Sequence, residues 1–295
     1  MRSRGNRWSL VVGLAGLIAL SGGLVACGNG DPASDGATST TTTSSTSTTS
    51  IATSSTTSPD ASTSVSAYFV RDEKVAPARR AGSASSPARS AVEALLAGPD
   101  PTPGKNEGST AIPTGTTLRS IDIANGLATV DLSREFGSGG GSLSMQERVA
   151  QVVYTVTQFP TATQVTFRID GAPITTLGGE GLVLDHPQTR ADWESMTPAI
   201  LLESPLAGDA LTSPFDITGT ADTFEATFQV ALTDSRGATA YQHFVTATSG
   251  SGTRGTFRHT VTFTGAAAGP ATLTVYEPSA KDGTPVNVVT IAVSL

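Results

Sequence analysis

Apolar positions along the chain change their spacing twice before settling into periodic patterns. Residues 8–20 are almost all apolar or small, residues 28–66 carry few apolar side chains, and beyond residue 67 apolar and polar positions alternate in recognisable periods. SAYFV, residues 66–70, reads as a short apolar strand. SSPARSAVEALLAGP predicts a helix, since Ala88, Ala91, Val92, Leu95 and Leu96 recur at i, i+3, i+4, i+7 and i+8 and so share one face. Ser86 stands where a cap belongs, Pro87 suits the first turn, and Gly98-Pro99 ends the run. TLRSIDIANGLATVDLS predicts a hairpin, with alternating arms at 118–123 and 127–132 around Asn125-Gly126. A second helix is predicted over 144–157, with Ser144 and Glu147 spaced as a capping box. Its stripe is Val149, Val152, Val153 and Val156, β-branched residues that need tertiary packing to stay helical. QVTFRIDG, residues 164–171, adds another alternating strand. The order β-α-β-β-α-β predicts an α+β layer with two helices on one sheet.

From residue 200 the helical period disappears. Phe224, Ala226, Phe228, Val230 and Leu232 alternate with polar or small residues up to a turn at 234–237. Phe257, Val261 and Phe263 do likewise, as do Leu273 with Val275 and Val289 with Ile291 and Val293. Roughly seven short strands without a helix predict an all-β sandwich. The chain has one Cys, at position 27, so no disulfide pins the two sheets and apolar packing must hold them.

That Cys follows a basic start, Arg2, Arg4 and Arg7, and the apolar run, which together have the layout of a secretory signal. Leu24-Val25-Ala26-Cys27 resembles the bacterial lipobox, which implies cleavage before Cys27 and its acylation. The other reading is a cleaved signal that leaves a free thiol. Two or three acyl chains anchor a protein stably where a single chain holds only marginally. Removal of residues 1–26 takes away three arginines and no acids, so the net charge of −7 becomes −10. Such a chain is repelled by nucleic acid and by anionic lipid, and the lipid must do the holding. Residues 28–66, with the run TSTTTTSSTSTTS, lack the apolar surface needed to offset chain entropy and are expected to be a disordered tether. It would span on the order of 35 Å on average.

The expected organisation is therefore a signal peptide at 1–26, a lipidated Cys and linker at 27–66, an α+β domain at 67–185, a connector at 186–198 and a β-sandwich at 199–295. The stretch DLSREFGSGGGSLSMQERVAQVVYTVTQFPTATQVTFRIDG resembles the GerMN domain of bacterial sporulation and germination proteins. SPLAGDALTSPFDITGTADTFEATFQVAL and YEPSAKDGTPVNVVTIAVSL resemble the Gmad group of immunoglobulin-like spore-germination domains. The two resemblances imply a non-enzymatic envelope lipoprotein that works by protein interaction.

Candidate chemistry is sparse. The glycine-rich run at 137–141 precedes a helix but satisfies no phosphate-loop pattern, and reads as a connector. Trp193 either packs into the domain junction, the favoured reading, or offers a carbohydrate-stacking platform. His186 reads as a loop residue. His243 and His259 fall in phase on neighbouring strands, yet two histidines without a placed carboxylate make a thin metal site, and no metal or cofactor is expected. Glu277, Lys281 and Asp282 form either a recognition loop or a turn held by local charge pairs. Asp131, Glu135 and Asp170 are the acids a wall-cleaving glycosidase would draw on, but spacing cannot place two of them across a groove. The reading is a non-catalytic interaction module on the outer face of the cytoplasmic membrane, held by its lipid and facing an envelope protein or the cell wall. A wall hydrolase or its regulator, and a small-glycan binder, are the alternatives.

Overall fold

The computed structural model describes residues 61–102, 106–179 and 181–295. The signal-like segment, Cys27 and nearly all of the Ser/Thr-rich tract lie outside the described residues.

The first domain opens with an antiparallel hairpin of β1 (Ser62–Arg71) and β2 (Lys74–Ser83), turned by Asp72 and Glu73 at φ 51° and 61°. Two expectations change here. The fold begins at Ser62, inside the range assigned to the tether, because residues 62–66 pair with residues 79–83 and Val65 is buried. A further strand, β2, also follows β1. Its sequence, KVAPARRAGS, hides it, since Pro77 and three basic residues break the apolar alternation and pairing with β1 supplies the order.

Next come α1 (Pro87–Leu96), the hairpin of β3 (Leu118–Ala124) and β4 (Gly126–Leu132), α2 (Ser142–Val156), β5 (Ala162–Ile169) and the two-residue β6 (Ala172–Pro173). They form a sheet in the order β3-β4-β5-β6, in which β4 and β5 run parallel and α2 supplies the crossover that parallel neighbours require. β7 (Thr176–Leu177) and β8 (Leu182–Val183) make a small separate hairpin. Asn125 and Gly126 both adopt positive φ, 53° and 82°, the backbone of a two-residue turn that suits Asn-Gly. The α+β class with two helices holds, with the order β-β-α-β-β-α-β followed by three two-residue strands.

Helix α2 starts two residues earlier than its sequence suggests, with Gly141 as the cap residue. Ser144 is therefore already helical, and the Ser144/Glu147 capping box does not form. Ser86 occupies the cap position of α1, but its side chain makes no capping bond. Val149, Val152, Val153 and Val156 are fully buried, so packing does stabilise this β-branched stripe. Polar residues of the same helix seal the outer edge of β1. Gln151 Nε2 donates to the Tyr68 carbonyl at 3.0 Å and the Tyr68 amide donates to Thr155 Oγ1 at 3.0 Å. Gln158, two residues past the end of α2, brackets Ser66 in the same way, at 2.8 and 2.7 Å. An edge that would otherwise offer itself to other strands is thus closed by α2, by Gln158 just after it and by Ser109, which pairs with Val70.

The second domain contains β9 (Ile200–Ser204), β10 (Phe215–Ala221), β11 (Thr227–Thr233), β12 (Thr239–Thr246), β13 (Gly255–Val261), β14 (Pro270–Pro278) and β15 (Pro285–Ser294). They form two sheets, β13-β10-β9 and β12-β11-β14-β15. Phe228 and Phe257 meet edge to face between the sheets at 4.8 Å. Gly219 permits the close pairing of β10 with β9, since a Cβ there would lie 2.0 Å from the Leu201 carbonyl oxygen. Phe224 departs from its predicted place in the core and is 61% exposed. Glu225 and Ala226 take positive φ, which shifts the phase so that the alternating strand starts only at Thr227. Among the described residues no helix is long and apolar enough to cross a membrane.

Candidate functional site

The junction of the two domains holds a polar cluster assembled from several elements. Arg190, in the connector, lies over the ring of Tyr154 at 4.8 Å and that of Tyr68 at 5.7 Å. Its Nη1 reaches Glu203 Oε1 on β9 at 2.7 Å, and the Tyr68 hydroxyl donates to the same oxygen. Burial, reinforced by the Glu203 carboxylate, pushes the Tyr68 phenol well above its ordinary value, and burial pushes Tyr154 up to about 12. Both phenols therefore stay protonated and remain donors. Around this centre Arg79 grips Asp209 with two bonds of 2.6 Å, and Lys74 donates to the Ser195 carbonyl at 2.7 Å. Arg254 Nη2 donates to the Pro198 carbonyl at 2.8 Å. Sequence reasoning missed this cluster, whose members come from β1, α2, the connector and β9.

Trp193 is 6% exposed and sits in the apolar cluster of the first domain, beside Met196 and Leu201, the last contributed by β9. Its indole N–H donates to Gln188 Oε1 at 3.2 Å. That burial removes the stacking-platform alternative, because neither face of the ring is open to a sugar.

The structure divides the roles of the three residues at the β14–β15 turn. Glu277 accepts the Phe224 amide at 2.8 Å and Asn287 Nδ2 at 2.7 Å, so its carboxylate stitches two loops together. Asp282 accepts from the Thr284 amide and hydroxyl at 3.1 and 2.7 Å, which closes the turn and holds its carboxyl below the usual range. Lys281 is exposed, with no side-chain partner among the described residues. Exposed Phe224 lies at the same end of the sandwich, tied there through Glu277.

The remaining candidates also resolve into structure. The glycine-rich run turns carbonyls inward: the nearly buried Arg148 guanidinium donates to the carbonyls of Phe136, Ser138 and Gly139. A loop whose carbonyls serve a cation is a clamped connector rather than an anion cradle. Asp131 accepts the Gly171 amide at 3.0 Å, and Arg119 pairs with Asp170 at 3.1 Å. His243 and His259 stack at 5.7 Å, and the Tyr241 hydroxyl lies 2.6 Å from His259 Nε2. Burial, with His243 beside it, depresses the His259 imidazole. His186, by contrast, bridges Asp185 and Asp192 and is raised by both. Among the described residues no group of three or more His, Cys, Asp or Glu is placed to hold a metal ion.

Comparison with known proteins adds the family. Residues 54–175 match the Germane family, described as sporulation and spore germination. Residues 199–284 match Gmad2, the immunoglobulin-like domain of bacterial spore germination. Among solved structures, the first GerMN domain of the sporulation protein GerM from Bacillus subtilis is 25% identical, with a TM-score of 0.37, over 44% of this chain and 99% of that one. The tandem GerMN domains of the same protein are 23% identical, with a TM-score of 0.40, over 62% of this chain and 60% of that one. A candidate lipoprotein from Clostridium perfringens is 21% identical, with a TM-score of 0.33, over 48% of this chain and 97% of that one. No curated protein sequence matches the chain. The chain carries a Germane domain of the sporulation and spore-germination type followed by a Gmad2 immunoglobulin-like domain.

Proposed function

We propose that this protein is a lipid-anchored, non-catalytic interaction module of the cell envelope, held at the outer face of the cytoplasmic membrane through Cys27. The observation that carries this reading is the exposure of large apolar side chains on the sandwich. Phe224, Phe244, Val286 and Val288 are 61%, 54%, 40% and 51% exposed. Exposed apolar groups beside polar ones are the usual material of a protein contact. Two of the three acids considered for wall hydrolysis are engaged within the fold, Asp131 by the Gly171 amide and Asp170 by Arg119. The Arg190–Glu203 junction makes the two domains one presenting body, which suits a scaffold better than a pair of independent binders. The lipid supplies the membrane attachment, and the partner is an envelope protein in preference to wall glycan.

Cross-linking of the intact lipoprotein in living cells, followed by mass identification of the adducts, tests the proposal. A defined envelope protein is expected. Recovery of wall glycan alone would turn the reading towards a wall-binding adaptor.

A further inference from the structure

We propose that the cleft between the two domains receives an extended peptide of a partner protein, which adds as a strand to the open edge of β15 and presents a carboxylate to Arg71. This deepens the interaction reading above and rests on it.

The hydrogen-bond parity of β15 locates the open edge. Leu295 exchanges bonds with Gly269 at the β14 side, whereas Ser294 exchanges bonds with Asp209 and Leu211 on the opposite side. Even-numbered residues therefore direct their backbone groups away from β14. Ala292 follows the rule, its carbonyl accepting the Gly208 amide at 2.8 Å. Beyond that point the outer side has no partner among the described residues. The N–H of Ala292 and both backbone groups of Thr290 face the cleft, at the two-residue period that an added strand matches. β15 is terminal in its sheet, so nothing in the sandwich itself completes this row.

The cleft is large enough to admit a chain and is lined for one. Two adjoining hollows of about 310 and 460 Å³ run along β15, the first by residues 288–291 and the second by 292–294. The opposite wall is β2, with Val75 and Pro77. β2 also presents an outer edge, but Pro77 has no N–H to donate, so strand addition is directed to β15. Val288, half exposed, offers an apolar contact to an incoming side chain, and the buried Leu202 and Leu206 also line the first hollow.

Charge selects the occupant. Arg71 lines both hollows, beside Asp72 in the first and beside Glu107, which Arg80 holds, in the second, and its buried Nε makes no hydrogen bond among the described residues. Among the described residues its guanidinium donates only through Nη2, to the Asn106 carbonyl, and pairs with no carboxylate. Arg79 nearby is already held by Asp209, and Lys74 by a carbonyl. A partly buried guanidinium without an anion is completed by a carboxylate, which it binds through a planar fork. A strand carrying Asp, Glu or a terminal carboxylate meets both the edge and the charge.

The test is selection of random twelve-residue peptides on the full lipoprotein in detergent micelles, with affinities then measured by fluorescence anisotropy on synthetic peptides. The expected winners alternate β-branched residues and carry one carboxylate. Arg71→Gln should weaken them about tenfold, the scale of one charge-assisted bond. Methylation of alternate peptide amides, which leaves the protein untouched, should abolish binding. Failure to select any peptide, or affinity indifferent to both changes, overturns the proposal. A photo-cross-linker at Val288 and another at Phe244, used in cells, separate this claim from its parent. Adducts from Val288 to a partner's extended segment support the cleft. Partner adducts from Phe244 alone sink the cleft and leave the envelope-interaction reading standing. Adducts from Val288 to a second copy of this chain overturn the partner claim in favour of self-association.

Discussion

Arg190 Nη1 lies 2.7 Å from Glu203 Oε1, and that pair joins the connector to the first strand of the sandwich. The Tyr68 hydroxyl shares the same carboxylate, so three elements converge on one oxygen. With side chains only 27% and 23% exposed, the pair is screened less than a surface ion pair. Removal of one partner leaves the other charge unpaired near the interior, which costs more than the pair itself contributes.

Arg190→Ala is accordingly expected to cost about 2–3 kcal/mol, below the fully buried range because both groups retain some solvent. Loss of the stacking over Tyr68 and Tyr154 adds to the effect. Chemical denaturation followed by Trp193 fluorescence and by far-UV circular dichroism checks it. The two probes should coincide in the parent protein and separate in the variant, as the domains unfold independently.

Asp234 gives an acid-dependent prediction. Its carboxylate accepts the amides of Arg236, Ala238 and Ala267 at 2.9, 3.0 and 2.9 Å, which ties the β11–β12 turn to the loop before β14. Those backbone bonds, the Ala267 amide foremost, hold its carboxyl far below the usual range. A depressed carboxylate adds stability above its unfolded pKa of about 4, and that stability drains away as the pH falls further. Asp234→Ala should lower Tm by several degrees at pH 7. Melts repeated between pH 4 and pH 2 should show the gap closing, and a gap that widens there would contradict the assignment.

Histidine titration provides a third check. His186 is raised chiefly by its bond to Asp185 and then by Asp192, so its charged form is favoured below the ordinary value near 6.5 and this benefit fades as pH rises past its folded value. His259 is lowered chiefly by burial and then by His243, so the folded state prefers it neutral. Its contribution is complete above about pH 6.5 and declines below, where the unfolded chain takes up the proton more readily. Imidazole NMR on acidification should show His186 protonating before His259, and the reverse order would reject the described contacts.

Gly219→Ala probes close approach. The added Cβ would meet the Leu201 carbonyl at 2.0 Å and the Phe257 ring at 2.8 Å, so β9 must shift away from β10. A cost of about 1–3 kcal/mol is expected from such overpacking. Because β9 also carries Glu203, hydrogen exchange should rise at the junction as well as in β9. Protection unchanged at the Arg190 segment would show that the two domains are less coupled than their bonds suggest.

The anchor has a separate test. Cys27→Ser should release the protein from membranes or leave its signal uncleaved. A cleaved Cys27→Ser product that still fractionates with membranes would count against lipidation.

Much of the architecture was legible because it rests on local periods. Ala91, Val92 and Leu95 share a face at any helix of that spacing, and Asn125-Gly126 accepts positive φ whatever surrounds it. The phases of Phe228, Val230 and Leu232 could be read from alternation alone, and all three are fully buried. Phe224 could not, since the positive φ of Glu225 and Ala226 changes the phase and leaves no mark in an apolar pattern. β2 was equally hidden, because its order comes from ten residue pairs with β1 rather than from its own composition.

The sequence by itself determined the two fold classes, the order of most elements and the lack of a disulfide, because hydrophobic period, turn chemistry and cysteine number are properties of neighbours along the chain. Only the tertiary structure decided that Trp193 is buried, that Glu277 and Asp282 serve their own loops, and that Arg190 and Glu203 meet. It also decided that Arg71 stands beside an open strand edge, since a site made from β1, β2 and β15 joins residues more than 200 positions apart. A long-range meeting of that kind is set by how apolar faces pack, and no local pattern encodes it.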